Sequence, residues 1–288
     1  MMKVGVFATF MSPLATPQLV ADLGRRLEGA GVESLWMGEH VVLFDEMEFP
    51  YPGSRDGRIP VPEGGGLLDT VATFGFLASA TKTLRLGTGI TLVPQRNPIY
   101  TAKEFATLDW LTGGRIDFGV GVGWCKEEVI ACGYGWEDRG ERCDEFLRAM
   151  IALWTQPVAS FQGTHVKLAP CRMDPKPVQK PHVPIFVGGH APRSLRRAAE
   201  FGRGWYGFAL TPELTAGVLR GVDRALAAAG RSREGFEIVI TPQQATPETL
   251  KAFADLGVDR LVVQLGSQKP DAIERRLPEL ERLVKAAR

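Results

Sequence analysis

Of the chain's four histidines, His40 stands where proton chemistry would be done, after the apolar run Ser34–Met37 and the dipeptide Gly38-Glu39. Imidazole titrates near neutrality, so a histidine at a strand end is either a general acid or base or a cap on local backbone. Gly188-Gly189 is a second candidate, because it leads from an apolar run into Pro192-Arg193. Backbone N–H groups at a helix N-terminus hold anions, most often phosphate, although a turn needing positive φ would use the same glycines. The third candidate is a pair of glycine-rich runs, Leu84–Leu92 with Gly87 and Gly89, and Ile116–Val122 with Gly119 and Gly121, the second leading into Gly123-Trp124. Glycine weakens a strand unless a bulge, a bend or a close approach needs the room, so both runs read as bare backbone offered to something flat. Gly119-x-Gly121-x-Gly123 lacks the spacing of the dinucleotide fingerprint and lies within and at the end of a strand, which argues against a Rossmann site.

Other chemistry-bearing residues say less. Glu127-Glu128, and Asp45, Glu46 and Glu48, have no spacing that compels acid–base work and read most simply as a solvated helix start and a solvated loop. Cys125, Cys132, Cys143 and Cys171 show neither C-x-x-C spacing nor a nearby histidine pair, so they read as reduced thiols of a cytoplasmic protein with no metal site. Trp205, Tyr206 and Phe208 are either core or substrate wall, and the pattern does not choose.

These residues need a scaffold that gathers strand ends. Val4–Thr9 is a compact apolar strand without alternation, as in a parallel sheet covered on both faces. Thr16-Pro17 opens a helix with an N-cap and a proline whose missing N–H would be unpaired anyway, and Thr211-Pro212 and Thr246-Pro247 repeat the device. Strand Ser34–Met37 precedes a long loop over 41–66, of the length used for lids and binding loops, and helix Leu67–Thr81 follows. Helix Ile99–Leu111 joins the two glycine-rich strands, and another helix ends near Trp154. Residues 157–183 read as an inserted hairpin and extended segment, with five prolines from Pro170 to Pro184. Strands Pro184–Val187, Gly204–Phe208, Phe236–Ile240 and Arg260–Leu265 complete eight, with helix Pro192–Phe201 among the connections. Eight strands alternating with helices predict a (β/α)8 TIM barrel with insertions, residues 1–288 forming one domain. Function then belongs at the C-terminal strand ends: His40, Thr88-Gly89-Ile90, Gly121 to Trp124, Gly188-Gly189, Tyr206 to Phe208, Gln243 and Gln264.

Composition narrows the partners. Lys and Arg total 34 against 33 Asp and Glu, a net charge of +1, without the electrostatic footprint of a nucleic-acid binder. No apolar run reaches membrane-spanning length, and the start shows no signal-peptide pattern, so the expectation is a soluble, unprocessed protein acting on a small molecule.

A series of motifs then resembles one family. Leu-Gly-Thr-Gly-Ile at 86–90, Arg96-Asn97-Pro98, Glu104 to Asp109, Gly114-Arg115, Gly-Val-Gly-Val-Gly-Trp at 119–124, Phe161-x-Gly163, Pro175 to Pro181, and Pro184-Ile185-x-x-Gly188-Gly189 together resemble the luciferase-like monooxygenase superfamily. Within it the chain most resembles oxidoreductases that use the deazaflavin coenzyme F420. The resemblance implies a barrel with a tricyclic ring at its C-terminal face, a homodimer, and a non-proline cis peptide at Gly89-Ile90 forming a bulge behind the ring. It places His40 beside the ring as the active-site histidine, Thr88, Gly89, Ile90, Gly121, Gly123 and Trp124 around the coenzyme, and Gly188 and Gly189 on its phosphate. Some relatives carry an acid where this chain has Trp124, so an aromatic substrate wall replaces sugar-phosphate acid–base chemistry in the expectation. A deazaflavin has carbon at the reacting position and suits hydride transfer. The rivals are an FMN-dependent two-component monooxygenase of the same superfamily and a non-catalytic flavin-binding barrel.

Overall fold

The computed structural model describes residues 2–287 other than 52, 53 and 55. Eight parallel staves close into a barrel: β1 (Lys3–Phe7), β2 (Ser34–Met37), β3 (Arg85–Thr88) continued by β4 (Thr91–Leu92), and β5 (Ile116–Gly121) open it. After the antiparallel hairpin β6 (Ala159–Gln162) and β7 (Lys167–Cys171), the staves β8 (Ile185–Gly188), β9 (Gly204–Leu210), β10 (Glu237–Pro242) and β11 (Arg260–Gln264) complete it. β11 pairs with β1, and β5 pairs with both pieces of the third stave, Leu86 opposite Ile116 and Thr91 opposite Val120.

The glycine-rich run expected as one strand from Leu84 to Leu92 is thus broken in two, and the Gly89–Ile90 peptide at the break is cis. The proline-opened helices form as expected. Thr16 Oγ1 accepts from Leu19 N at 3.2 Å to start α1 (Pro17–Gly29), which buries Val20, Leu23 and Leu27. α2 (Thr70–Ala80) starts three residues later than its pattern predicts, because Asp69 is the cap and accepts from Ala72 N. α3 (Pro98–Thr112) is capped by Asn97 and stopped by Gly113 in the left-handed region at φ 64. α4 (Lys126–Ala131) and α5 (Arg139–Thr155) follow β5, then α6 (Pro192–Phe201), α7 (Pro212–Ala228), α8 (Pro247–Asp255) and α9 (Pro270–Ala286) each follow one stave.

Two cores result. The larger lies between sheet and helices, and a smaller one fills the barrel with Trp36, Phe186, Tyr206, Val239 and Val262. Below it, at the N-terminal strand ends, Arg260 is 2% exposed and pairs with Asp117 at 2.7 Å and Glu33 at 3.1 Å. Arg85 binds the same Asp117 through Nε at 3.0 Å. Burial alone would push the Asp117 carboxyl up, but the two guanidiniums outweigh it and hold the group below the usual carboxylate range. Arg260 also lies 5.6 Å from the Trp36 ring, and Trp36 stacks on Tyr206 at 5.1 Å. An ionic floor therefore supports an aromatic column that rises toward the cis peptide.

Candidate active site

At the top of that column, Tyr206 is buried and its hydroxyl lies 2.7 Å from Thr241 Oγ1. A Cβ at Gly89 would meet this hydroxyl at 2.9 Å and Phe7 at 3.1 Å, so Gly89 turns its bare face into the barrel and not toward a ligand. The other glycines are explained the same way. A Cβ at Gly87 would meet the Trp36 indole at 2.5 Å, one at Gly119 the Thr88 carbonyl at 1.7 Å, and one at Gly121 Ile90 Cδ1 at 1.8 Å. At Gly188 the nearest atom is Ile90 Cγ2 at 3.0 Å. The expectation that two glycine strands leave backbone bare for a flat molecule is corrected: the chain's own side chains and carbonyls fill those spaces, and Ile90 sits in a notch between Gly121 and Gly188. Thr88 supports the same turn from below, donating its hydroxyl to the Gly119 carbonyl at 2.6 Å.

His40 lies just beyond the end of β2, with its side chain 13% exposed. Its Nδ1 lies 2.8 Å from Glu128 Oε2, and Glu128 Oε1 accepts from Val41 N at 2.7 Å. Glu128 is fully buried on α4, which corrects its reading as a solvated helix start. Its neighbours in the same turn hold the following loop: Glu127 Oε1 accepts from Glu48 N at 2.8 Å and Lys126 Nζ pairs with Glu48 at 2.5 Å. Glu48 is therefore tethered, although its loop is exposed as expected. A six-residue helix has too short a period to show in sequence which of two adjacent glutamates faces inward. The one available signal was its position directly after the glycine-rich strand end.

Glu39 went unassigned in the sequence and is 6% exposed. Burial pushes its carboxyl up, opposed by Arg96 and by the Leu92 N–H, which donates to Oε2 at 2.7 Å. Arg96 bridges Glu39 and Glu104, so the Arg96-Asn97-Pro98 motif ties the segment after β2 to the one beyond the cis peptide. Nearby, the buried amide nitrogen of Gln95 has no acceptor among the described residues, and its side-chain oxygen lies 4.0 Å from where a Gly123 Cβ would stand.

Trp124 closes the other side. Its ring lies 5.6 Å from His40 and 5.4 Å from Tyr51 of the long loop. A cavity of about 210 Å³ opens here, walled by His40, Val42, Leu43, Phe44, Met47 and Cys125 among others. Burial raises the Cys125 thiol above its ordinary pKa, so it stays protonated and is no nucleophile near neutrality. Asp45 and Arg58 also reach this cavity. Gln243 and Gln264 instead line a separate cavity of about 260 Å³ at the ends of β10 and β11.

Gly188 ends β8 and Gly189 begins the turn into α6. Gly189 has φ 95, and a Cβ there would meet Ser194 Oγ at 3.0 Å. Trp205 resolves its own ambiguity by donating Nε1–H to the Gly189 carbonyl at 2.7 Å, which pins the turn. Tyr206 is core and Phe208 is 39% exposed. No side chain of the described residues caps α6, whose first turn carries Pro192 and the exposed Arg193. Arg197 does not share that end; it is buried and pairs with Asp144 of α5.

Residues 2–275 fit the family model described as luciferase-like monooxygenase. The chain belongs to that family. An uncharacterised protein of Mycobacterium tuberculosis is 31% identical over 253 residues, covering 87% of this chain and 88% of that one. The F420-dependent glucose-6-phosphate dehydrogenase of Amycolatopsis mediterranei is 27% identical over 71% of this chain and 57% of its own. The FMNH(2)-dependent dimethylsulfone monooxygenase of Pseudomonas putida is 39% identical over 45% of this chain and 36% of its own. Among solved structures, an F420-dependent secondary alcohol dehydrogenase superposes with a TM-score of 0.80 at 17% identity, covering 100% of this chain and 99% of that one, a likeness of fold.

The family's members are oxidoreductases and monooxygenases, and its named relatives use F420 or FMN, so a flavin-type cofactor is the coarse expectation. The residues present fit such a group. Gly189 provides a concave turn that a side chain would fill, and Gln95 has a buried donor without an acceptor.

Proposed function

We propose that this chain is a deazaflavin-dependent oxidoreductase that moves a hydride between the coenzyme and a small organic substrate. The observation that carries the reading is the His40–Glu128 pair at the edge of a cavity of mixed polar and apolar lining, because hydride transfer at a carbon bearing oxygen or nitrogen requires a proton to move as well. When bound, a deazaflavin supplies a ring carbon that gives or takes the hydride. Gly188, Gly189 and the N-terminal amides of α6 would hold the phosphate, with Arg193 adding charge. Ile90, Gly123 and Trp124 would frame the ring, with Thr88, Gly89 and Gly121 shaping the turn behind it, and the loop over 41–66 would exclude water. In the oxidising direction the hydride leaves the substrate carbon while the neighbouring O–H or N–H proton passes to His40. The F420-dependent relative supports this coenzyme through its match over 71% of the chain.

FMN-dependent monooxygenation is the second reading, favoured by the higher local identity of the dimethylsulfone enzyme. Parallel fluorescence titrations with oxidised F420 and FMN discriminate them. Tighter F420 binding supports hydride chemistry; preference for FMN moves the reading to oxygen chemistry; binding of neither removes both. His40→Ala is expected to abolish turnover on an identified substrate while leaving coenzyme affinity within about twofold, and unchanged turnover would remove its role.

A further inference from the structure

We infer that Glu128 is a positioning residue that fixes the proton-carrying nitrogen of His40, so that the imidazole presents an unprotonated Nε2 for proton abstraction. As a catalytic role, this rests on the proposed hydride-transfer function; as a statement about the imidazole, it stands alone. Glu128 lies 88 residues from His40 in sequence and is fully buried, so its carboxylate is placed by the fold and not by chance surface contact. Both oxygens are engaged. Oε1 accepts from Val41 N at 2.7 Å, a donor that cannot reverse its role, and Oε2 lies 2.8 Å from His40 Nδ1. An ionised carboxylate only accepts, so the ring proton of the neutral imidazole sits on Nδ1. Nε2 has no partner among the described residues, and the ring borders the cavity of about 210 Å³. A proton taken at Nε2 would produce an imidazolium already facing a buried negative charge, the arrangement in which a carboxylate orients a base without itself accepting the proton.

The geometry makes an isosteric substitution diagnostic. In Glu128→Gln one oxygen becomes an NH2 group. The remaining oxygen must face the Val41 N–H, since two donors cannot pair, so the amide N–H points at Nδ1. The imidazole then has to accept at Nδ1 and carry its proton on Nε2. A merely structural Glu128 would show no such change, since glutamine fills the same volume and keeps the Val41 bond.

The test is nitrogen-15 NMR of the imidazole rings in the purified full chain above the histidine titration range. Four histidines are present, and His40→Ala identifies the His40 signals. Wild type is expected to carry the His40 proton on Nδ1 and Glu128→Gln to carry it on Nε2, with unchanged circular dichroism. Carbethoxylation of His40 by diethyl pyrocarbonate, followed by peptide mass spectrometry, should slow by about tenfold or more in Glu128→Gln because the free nitrogen is withdrawn. A wild-type proton on Nε2 overturns the inference without any variant needing to fold, and so does a tautomer unchanged by Glu128→Gln. F420 and FMN titrations of both proteins separate the two readings: failure of both coenzymes to bind defeats the proposed function and leaves the tautomer result standing.

Discussion

Gly121→Ala tests whether Ile90 fills the space that Gly121 leaves. The added methyl would stand 1.8 Å from Ile90 Cδ1 and 3.2 Å from Cγ1. The first distance is impossible, so Ile90 must leave its notch or the bulge must shift. Overpacking of this kind costs about 1–3 kcal/mol. Valine lacks the offending Cδ1 atom. Ile90→Val alone should cost only about 0.5–1 kcal/mol, the low end for this exchange because Ile90 is half-buried. In the double variant the closest remaining contact is 3.2 Å, which a few tenths of an ångström relieve. The pair should therefore be about 1–2 kcal/mol more stable than the sum of the single effects predicts. Urea unfolding of the four proteins reads this as a midpoint recovery of roughly 0.5 M at constant slope. Strict additivity would refute the claim that Ile90 occupies the space Gly121 leaves. Loss of coenzyme affinity in Gly121→Ala, restored in the double variant, would further show that the bulge shapes the ring site.

Asp117→Asn should destabilise the chain by about 2–3 kcal/mol in the same assay, below the cost of a wholly unpaired buried charge, because it removes the carboxylate that Arg260 and Arg85 share while Glu33 still pairs with Arg260. Glu28 makes a pH-dependent contribution: burial raises its carboxyl, but the N–H groups of Thr83, Leu84 and Lys82 and the Thr83 hydroxyl outweigh this and lower it from 4.5 to about 2. Its stabilisation is full above the unfolded value and disappears as pH falls from 4.5 toward 2, so Glu28→Gln should cost about 1–2 kcal/mol at pH 7 after allowance for solvent exposure, and progressively less across that window. Gly189→Val should weaken binding of whichever coenzyme the titrations identify by tenfold or more, since φ 95 and Ser194 both oppose a side chain; undiminished affinity would remove the phosphate assignment. A second copy of this chain is the proposed cover for exposed Tyr100, Trp110 and Leu111 on α3 and Phe76 on α2, and Trp110→Asp should convert a sedimenting dimer to monomer.

The elements were legible where local chemistry dictates them. Threonine–proline starts, the Gly113 stop and the uniform apolarity of parallel strands each act within a few residues, and the barrel follows from their alternation. His40 stands out in the sequence because its residue type and strand-end position together suggest proton work, and the fold sets it against Glu128. Glu128 and Glu39 were not legible, since a carboxylate's burial depends on partners 88 and 57 positions away that no local pattern reveals. The glycines were visible but their cause was not. Sequence shows that a side chain is missing at 87, 119 and 121, whereas only the folded chain shows that Trp36, the Thr88 carbonyl and Ile90 occupy the space.

The short helix α4 connects these findings. Lys126 and Glu127 hold Glu48 in the long loop, while Glu128 holds both the His40 ring and the Val41 amide at the loop's start. One short helix therefore sets the position of the His40 ring and of the loop that walls its cavity. That helix is in turn anchored by β5, whose end reaches it through Gly123 and Trp124, and β5 pairs with both halves of the stave broken at the cis peptide. A displacement of the bulge would thus act on Trp124 and His40 through a single strand. The proposed hydride transfer would need the ring face, the proton carrier and the loop in fixed relative positions, and the segment that follows β5 holds Trp124, the His40 ring and Glu48 of the loop together.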